Sequence, residues 1–360
     1  AAARISGYAR FTGPDRLLID EHTEVEFGGA VIATGSSPTI PPLLRALGER
    51  VIVNDDIFEW NDLPRSVAVF GPGIIGLELG QALARLGVRV TMFGVGGGIG
   101  PFTDPAVRDY AARTFAGEFP LYPDARDVAV QREGDSVLIT HRIPRGEHET
   151  IAVDYVIAAT GRAPNLRGLD LPAAGVALDA RGLPKFDRHT LQIEQTPLFI
   201  AGDANADVPL LHEAADEGRI AGENAARFPR VQPGVRRSPL GIVFSDPQLA
   251  TAGTRFADLV PGRFVTGRVS FEDQGRSRVM LRNRGLLHLY ADSATGRLLG
   301  AELIGPGAEH LAHLIAWAHQ LELKVRDVLA LPFYHPVVEE GLRTALRDAQ
   351  AQLDSLKAAA

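Results

Sequence analysis

The sequence predicts an α/β protein of more than one domain, in which a parallel sheet built on a βαβ unit is followed by an α+β domain. Three observations predict it. Residues 66–93 run from a strand (Val67-Ala68-Val69-Phe70) through a glycine loop to a helix (Ile74 to Leu86) and a second strand (Val88 to Phe93), an order that makes the two strands parallel. A strand ending in Ala33-Thr34-Gly35-Ser36 is echoed much later by one ending in Ala159-Thr160-Gly161-Arg162. Beyond Gln232-Pro233-Gly234, short strands come first and helices follow, rather than alternating.

Composition excludes several classes. A length of 360 residues allows two or three domains. With 37 basic against 44 acidic residues the formal net charge is −7, and no Lys-Arg block stands out, so nothing marks a nucleic-acid partner. Hydrophobic residues at 45% and charged residues at 22% argue against a disordered chain. The longest apolar runs, such as Val153–Thr160, are too short to span a bilayer. Ala1-Ala2-Ala3-Arg4 lacks the apolar core of a secretory signal. These features predict a soluble, cytoplasmic protein. The cysteine count is zero, which removes disulfide staples, thiolate metal sites and a cysteine nucleophile from this chain.

Taken in order, residues 4–34 alternate short apolar runs (Tyr8-Ala9-Arg10-Phe11, Leu17-Leu18-Ile19) with turn signals (Gly13-Pro14-Asp15, Gly28-Gly29). They predict a small β-meander and then a buried strand, Ala30 to Gly35. Pro38 through Pro42 is a breaker-rich boundary. In the helix after the glycine loop, Ile75, Leu79, Ala82, Leu83 and Leu86 recur at helical spacing, and Gly87 is its stop. Further strands are predicted at 127–131, 136–141 and 153–159, and another at 196–201, closed by Gly202-Asp203. A helix follows from about Leu210 to Phe228. The last part carries strands at 241–244, 286–291 and 298–304, a helix from Gly307 to Leu323, and a closing helix from about Val338 to Lys357. The alanine-rich ends are expected to fray.

Gly71-Pro72-Gly73-Ile74-Ile75-Gly76 carries chemistry because of where it lies, between a strand and a helix of a βαβ unit. One glycine permits the tight turn, the next lets backbone approach a pyrophosphate, and the third lets helix pack on strand. The phosphate then rests on the free N–H groups of the helix start. The second strand ends in Phe93-Gly94-Val95-Gly96-Gly97-Gly98. It offers neither the acid that bonds the ribose of NAD nor the arginine that receives the extra phosphate of NADP. NAD is favoured, with NADP left open.

The motifs in order are Ala33-Thr34-Gly35, then Gly71-x-Gly73-x-x-Gly76-x-Glu78, then Ala159-Thr160-Gly161-Arg162-x-Pro164-Asn165, then Gly202-Asp203, then His335-Pro336-x-x-x-Glu340. As a set they resemble the pyridine nucleotide-disulfide oxidoreductases, and among these most closely dihydrolipoamide dehydrogenase. The resemblance covers nearly the whole chain. It implies a Rossmann-like NAD(P)-binding domain (42–154) inserted in a partial FAD-binding domain (1–41 and 155–234), a dimerisation domain (235–352) and a tail (353–360). It implies that Thr34 and Gly35 lie on the flavin side, that Gly202 and Asp203 meet FAD with Asp203 on its ribityl chain, and that the helix start near Leu210–His212 faces the flavin ring. Glu78 would sit near the nicotinamide–flavin contact and Gly161 would line the nicotinamide site. His335, paired with Glu340, would be the acid/base for a dithiol in the partner subunit's active site; an imidazole beside a carboxylate suits that work. The implied partners are a second copy, a lipoamide-like dithiol/disulfide and a multienzyme complex, with no metal, membrane or nucleic acid. The apolar stripe Leu342, Ala345, Leu346, Ala349, Leu353, Leu356 and the helix positions Leu311, Leu314, Ile315 and Ala318 are expected to supply the dimer face.

Two parts of the family pattern are missing from the 360 residues: a first βαβ unit with its own glycine fingerprint, and a Cys-x4-Cys redox pair. The expectation is therefore the C-terminal portion of a flavoenzyme, passing electrons between NAD(H), FAD and a dithiol/disulfide, and by itself inactive in disulfide chemistry. The alternatives are a redox-inert nucleotide-binding or assembly module, or another flavin disulfide reductase. Mercuric reductase is disfavoured, because it normally has C-terminal cysteines and a tyrosine where His335 stands.

Overall fold

The computed structural model describes residues 4–143 and 145–359; Ala1–Ala3 and Ala360, which belong to the ends expected to fray, lie outside them. The chain divides into two compact units, one of Ala1–Ser37 with Arg162–Arg236 and one of Pro38–Gly161 with Arg237–Ala360.

In the first unit the expected meander is three antiparallel strands, Ala9–Gly13, Arg16–Ile19 and Thr23–Glu26. Ala30–Ile32 then pairs in parallel with Leu198–Ile200, so residues far apart in sequence form one buried core of Phe11, Ile32, Leu171, Ile193, Leu198 and Ile200. The helix Leu211–Arg227 closes this unit, burying Ile220 and Ala221 against Leu191 and Phe199. Its buried Glu217 accepts hydrogen bonds from the Gly202 amide (2.8 Å), Asn205 Nδ2 (2.7 Å) and Arg236 Nη1 (2.7 Å). A buried carboxylate needs such partners, and these pin the Gly202 turn to the helix.

In the second unit, five parallel strands lie in the order Val51–Ile52, Tyr155–Ala158, Ser66–Phe70, Arg89–Phe93, Leu121–Tyr122. The helix Ile74–Arg85 connects Ser66–Phe70 to Arg89–Phe93. The chain leaves Ser66–Phe70 toward one side while Tyr155–Ala158 flanks the other, and such a switch point opens a crevice at the carboxyl ends of the strands. The single strand expected at 153–159 is two. Val153 ends an antiparallel ribbon (Arg126–Glu133, Ser136–Arg142, His148–Val153), and Tyr155–Ala158 joins the parallel sheet. Asp154 makes the corner, its Oδ2 accepting from the amides of Arg65 (2.8 Å) and Ser66 (3.0 Å).

The rest of this unit is a five-stranded antiparallel sheet, ordered Leu240–Val243, Gln248–Gly253, Leu298–Gly305, Leu286–Asp292, Phe264–Ser270. Helices Ala308–Gln320 and Glu340–Ala359 pack on it. Two of its strands, Gln248–Gly253 and Phe264–Ser270, carry no strong sequence pattern, since alanine, threonine and glycine dilute the apolar alternation. Val243, Leu249 and Ile304 of this sheet share one apolar cluster with Val67, Leu77 and Phe115. The closing helix corrects an expectation: Leu342, Ala345, Leu346, Ala349 and Leu353 are all buried in their own chain's core, and only Leu356 is exposed. Leu311, Ile315 and Ala318 are likewise buried, and of the four helix positions only Leu314 stays exposed. The stripe covers the chain's own sheet, so it is not the dimer face. No helix among the described residues is long and apolar enough to cross a membrane.

Candidate functional site

At the end of Ser66–Phe70 the chain turns with Gly71 at φ +108°, a conformation that favours glycine. A Cβ on Gly71 would stand 2.3 Å from the carbonyl oxygen of Ala159, and one on Gly76 would stand 1.9 Å from that of Gly71. Both positions are closed to any side chain. Gly73 differs: a Cβ there would meet nothing within 4 Å, so its side of the loop faces open space. Gly73 is also the N-cap of the helix Ile74–Arg85, and no side chain caps the helix's first amides. Free amides at a helix start, reached through bare backbone, suit a pyrophosphate. They open on a cavity of about 550 Å³ lined by Leu43, Phe70, Pro72, Phe93, Val95 and Val128, among others. The residues present fit a dinucleotide.

Gly161 has φ +100° and open space where its Cβ would be. Its carbonyl accepts from the Thr39 amide (2.9 Å), and Thr160 Oγ1 donates to the Thr39 carbonyl (2.6 Å). The close approach of Gly71 to Ala159 brings the Ala159-Thr160-Gly161 segment beside the glycine loop. Glu78, on the same helix as Gly76, is half-buried and its Oε1 accepts from the Phe244 amide at 2.7 Å.

In the other unit, Gly35 and Asp203 are brought together through a residue the sequence reading passed over. Ser36 Oγ donates to Asp203 Oδ2 (2.6 Å), and Arg162 Nε donates to Ser36 Oγ (2.7 Å) while lying 3.9 Å from the same carboxylate oxygen. Asn165 holds the Thr34-Gly35 strand end from the same side, its amide donating to the Gly35 carbonyl (2.9 Å) and its Nδ2 to that of Thr34 (3.1 Å). The signal was present in the sequence: each strand end is followed at once by a polar residue, Ser36 or Arg162. Gly202, at φ +67°, starts the turn that presents Asp203. Leu211, the first residue of the helix Leu211–Arg227, is exposed, and no side chain caps that helix start. The Asp203 carboxylate can accept from a polyol hydroxyl, and the uncapped amides of that helix start can donate to an electron-rich ring edge.

His335 and Glu340 meet as the sequence spacing suggests. His335 Nδ1 lies 3.0 Å from Glu340 Oε1 and 3.1 Å from Oε2. A carboxylate only accepts, so Nδ1 carries a proton, and in the neutral ring the lone pair is on Nε2. The imidazole is 81% exposed whereas the glutamate side chain is 27% exposed, so the anchor is sheltered and the base is presented. The His335 hydrogen bond, joined by the Val337 amide, holds the Glu340 carboxyl below its ordinary value. Beside this pair lies an apolar cavity of about 410 Å³ lined by Leu314, Trp317, Leu321, Phe333, Tyr334 and Leu342. Two of the other helix histidines are held locally. His319 Nδ1 bonds Ser238 Oγ (2.8 Å) and His313 Nδ1 bonds the Glu309 carbonyl (2.7 Å).

Sequence reasoning also missed a buried polar cluster. Asp104 caps the helix Pro105–Ala116 with Oδ1 and uses Oδ2 to accept from His288 Nδ1 (2.7 Å) and Tyr290 Oη (2.9 Å). Glu302, fully buried, accepts from the amides of Thr103 (2.8 Å), Asp104 (2.8 Å) and Phe256 (3.0 Å).

With this geometry in place, comparison with known proteins is direct. Residues 2–218 match the family model described as pyridine nucleotide-disulphide oxidoreductase, and residues 240–346 match that family's dimerisation domain. A dihydrolipoyl dehydrogenase of Haloferax volcanii is 30% identical over 359 residues, covering 97% of this chain and 75% of that protein. A mercuric reductase of Acidithiobacillus ferrooxidans is 29% identical over 355 residues, covering 95% of this chain and 62% of that protein. Among solved structures, LpdA from Mycobacterium tuberculosis superposes with a TM-score of 0.80 at 26% identity, covering 95% of this chain and 75% of that one.

Proposed function

We propose that this chain, which belongs to the pyridine nucleotide-disulphide oxidoreductase family, supplies the nicotinamide-nucleotide site, the acid/base pair and the dimer contacts of a dihydrolipoyl dehydrogenase-like flavin enzyme. The observation that carries the reading is the His335–Glu340 pair. A redox-inert assembly module has no use for an exposed imidazole held in one tautomer by a sheltered carboxylate.

When bound, FAD and the nicotinamide dinucleotide supply the two-electron chemistry. The chain's own residues do the rest. Gly71, Gly73 and the first amides of Ile74–Arg85 hold the pyrophosphate, with Gly76 setting the helix against the loop. Gly161 and Glu78 border the nicotinamide end. Thr34, Gly35, Gly202 and Asp203 form the flavin side of the other unit, Asp203 accepting from a polyol hydroxyl. His335 Nε2 takes the proton from a substrate thiol, leaving a thiolate, and returns it in the reverse direction. Glu340 fixes the tautomer and stabilises the imidazolium that forms. The 360 residues contain no cysteine, so the redox disulfide is not among this chain's contributions.

The dimer face is the exposed apolar strip around the cavity next to His335, where Trp317 is 62% and Tyr334 80% exposed. A second copy covering that strip would bring a dithiol site of its own to His335. The dithiol is taken to be dihydrolipoamide. Fusing the flavin-binding, two-cysteine segment of a dihydrolipoyl dehydrogenase ahead of this chain tests the reading. The fusion should oxidise dihydrolipoamide with NAD⁺; a full flavin complement without dithiol turnover, or turnover of mercuric ion alone, would reject it.

A further inference from the structure

A nicotinamide dinucleotide site tells NAD from NADP at the end of the second strand, about 20 residues past the glycine loop, where an Asp or Glu bonds the ribose hydroxyls and repels a 2′-phosphate. Here that strand, Arg89–Phe93, runs into Gly94. The absence of an acid at Gly94 is enforced by packing. A Cβ on Gly94 would stand 2.6 Å from the Pro123 carbonyl oxygen and 2.6 Å from Pro72 Cγ, nearer than real Cβ atoms come. Pro72 belongs to the glycine loop itself, so its ring occupies the space that an acidic side chain would have to cross.

The surroundings supply no substitute. Among the described residues that line the cavity, none is charged. The carboxylate hydrogen-bonded to this loop, Asp124, is spent: Oδ1 accepts from the Gly96 amide (3.0 Å), and Oδ2 accepts from Arg126 Nη2 (2.7 Å) and Nε (3.2 Å). Its charge is balanced by the guanidinium beside it. Val95, the next residue along, is 90% exposed on the cavity rim and presents only methyl groups.

We propose that this site does not select against a 2′-phosphate, and that the chain takes NADP(H) as well as NAD(H), because Pro72 and Gly94 together exclude the discriminating carboxylate. The inference rests on the reading of the glycine loop as a dinucleotide site. It concerns this chain's own residues, so binding rather than turnover tests it.

Dissociation constants of NADH and NADPH for the full chain, measured by calorimetry or by nicotinamide fluorescence, should lie within about tenfold of each other. The variant Val95→Glu restores a carboxylate at the exposed rim, where no packing is disturbed. It should weaken NADPH by about tenfold or more and NADH by less than about threefold. NADH bound about a hundredfold more tightly than NADPH by the unaltered chain overturns the proposal while leaving the dinucleotide site intact. An unchanged ratio in Val95→Glu overturns the missing carboxylate as the cause. Failure of both nucleotides to bind overturns the inference together with the functional reading beneath it.

Discussion

Asp104 Oδ2 lies 2.7 Å from His288 Nδ1, although 184 residues separate them, and Asp104 Oδ1 caps the helix Pro105–Ala116. One carboxylate thus ends a helix and grips a strand of the antiparallel sheet. Burial pushes the Asp104 carboxyl up, but the hydrogen bond and charge of His288, with Tyr290 and the Ala106 amide, outweigh it and leave it below 3.8.

The sign of the resulting pH effect follows from linkage. A carboxyl lowered by folding contributes stability that is complete above its ordinary value and is lost as pH falls through the lowered one. Asp104→Asn should therefore flatten the stability–pH curve below about pH 3.9. Asp104→Ala, which removes the cap and leaves His288 and Tyr290 buried without a partner, should cost about 2–4 kcal/mol. Urea unfolding at a series of pH values reads both; a midpoint unchanged in Asp104→Ala would contradict the assignment.

Gly73 and Gly76 should respond differently to the same substitution. A methyl on Gly73 meets no protein atom within 4 Å, so Gly73→Ala should unfold within about 1 kcal/mol of the parent yet bind NADH about tenfold or more weakly. A methyl on Gly76 meets the Gly71 carbonyl oxygen at 1.9 Å, so Gly76→Ala should distort the loop and lower the melting temperature as well. Thermal melts paired with NADH titrations separate a binding role from a packing one.

Glu340 is held below 4.5 first by its hydrogen bond from His335. In His335→Ala its carboxyl should titrate closer to that ordinary value, a change visible by carbon NMR of the glutamate. In the flavin-containing fusion, His335→Ala should lower dihydrolipoamide turnover by about 10²–10⁴-fold. Glu340→Gln should lose less, because the amide oxygen can still accept from Nδ1 but carries no charge to stabilise an imidazolium.

Trp317 projects from the helix Ala308–Gln320 and is mostly exposed. Trp317→Glu should leave the folded monomer within about 0.5 kcal/mol of its stability, but place a charge in the apolar strip that a second copy would cover. Sedimentation velocity at micromolar concentration should show a dimer for the parent chain and a monomer for the variant. A dimer that survives the charge would move the interface elsewhere.

How far the sequence could be read depended on distance along the chain. The glycine loop is legible because its turn, its bare backbone and its helix start lie within six residues, Gly71 to Gly76. His335 and Glu340 are legible for the same reason. Asp104 is half legible: an Asp before Pro105 signals a helix start, but nothing near it names His288 or Tyr290 as its other partners. Ser36 and Asp203 meet only because Ala30–Ile32 pairs with Leu198–Ile200, a register no local pattern encodes. The stripe on Glu340–Ala359 shows the complementary limit. Its period says that one face is covered, and only the packed structure says by what.

The two matched family segments divide the chain between residues 218 and 240, whereas the apolar cluster joining Val67 and Leu77 to Leu249 and Ile304 does not divide there. Ancestry and mechanics therefore draw different borders in this molecule. Exchange of parts between relatives has to carry residues 237–360 along with 38–161, because either piece transplanted alone would face a foreign complement across the buried faces of Leu249 and Ile304. Surface loops are free to drift in such a lineage, but those inner contacts must change in concert or not at all.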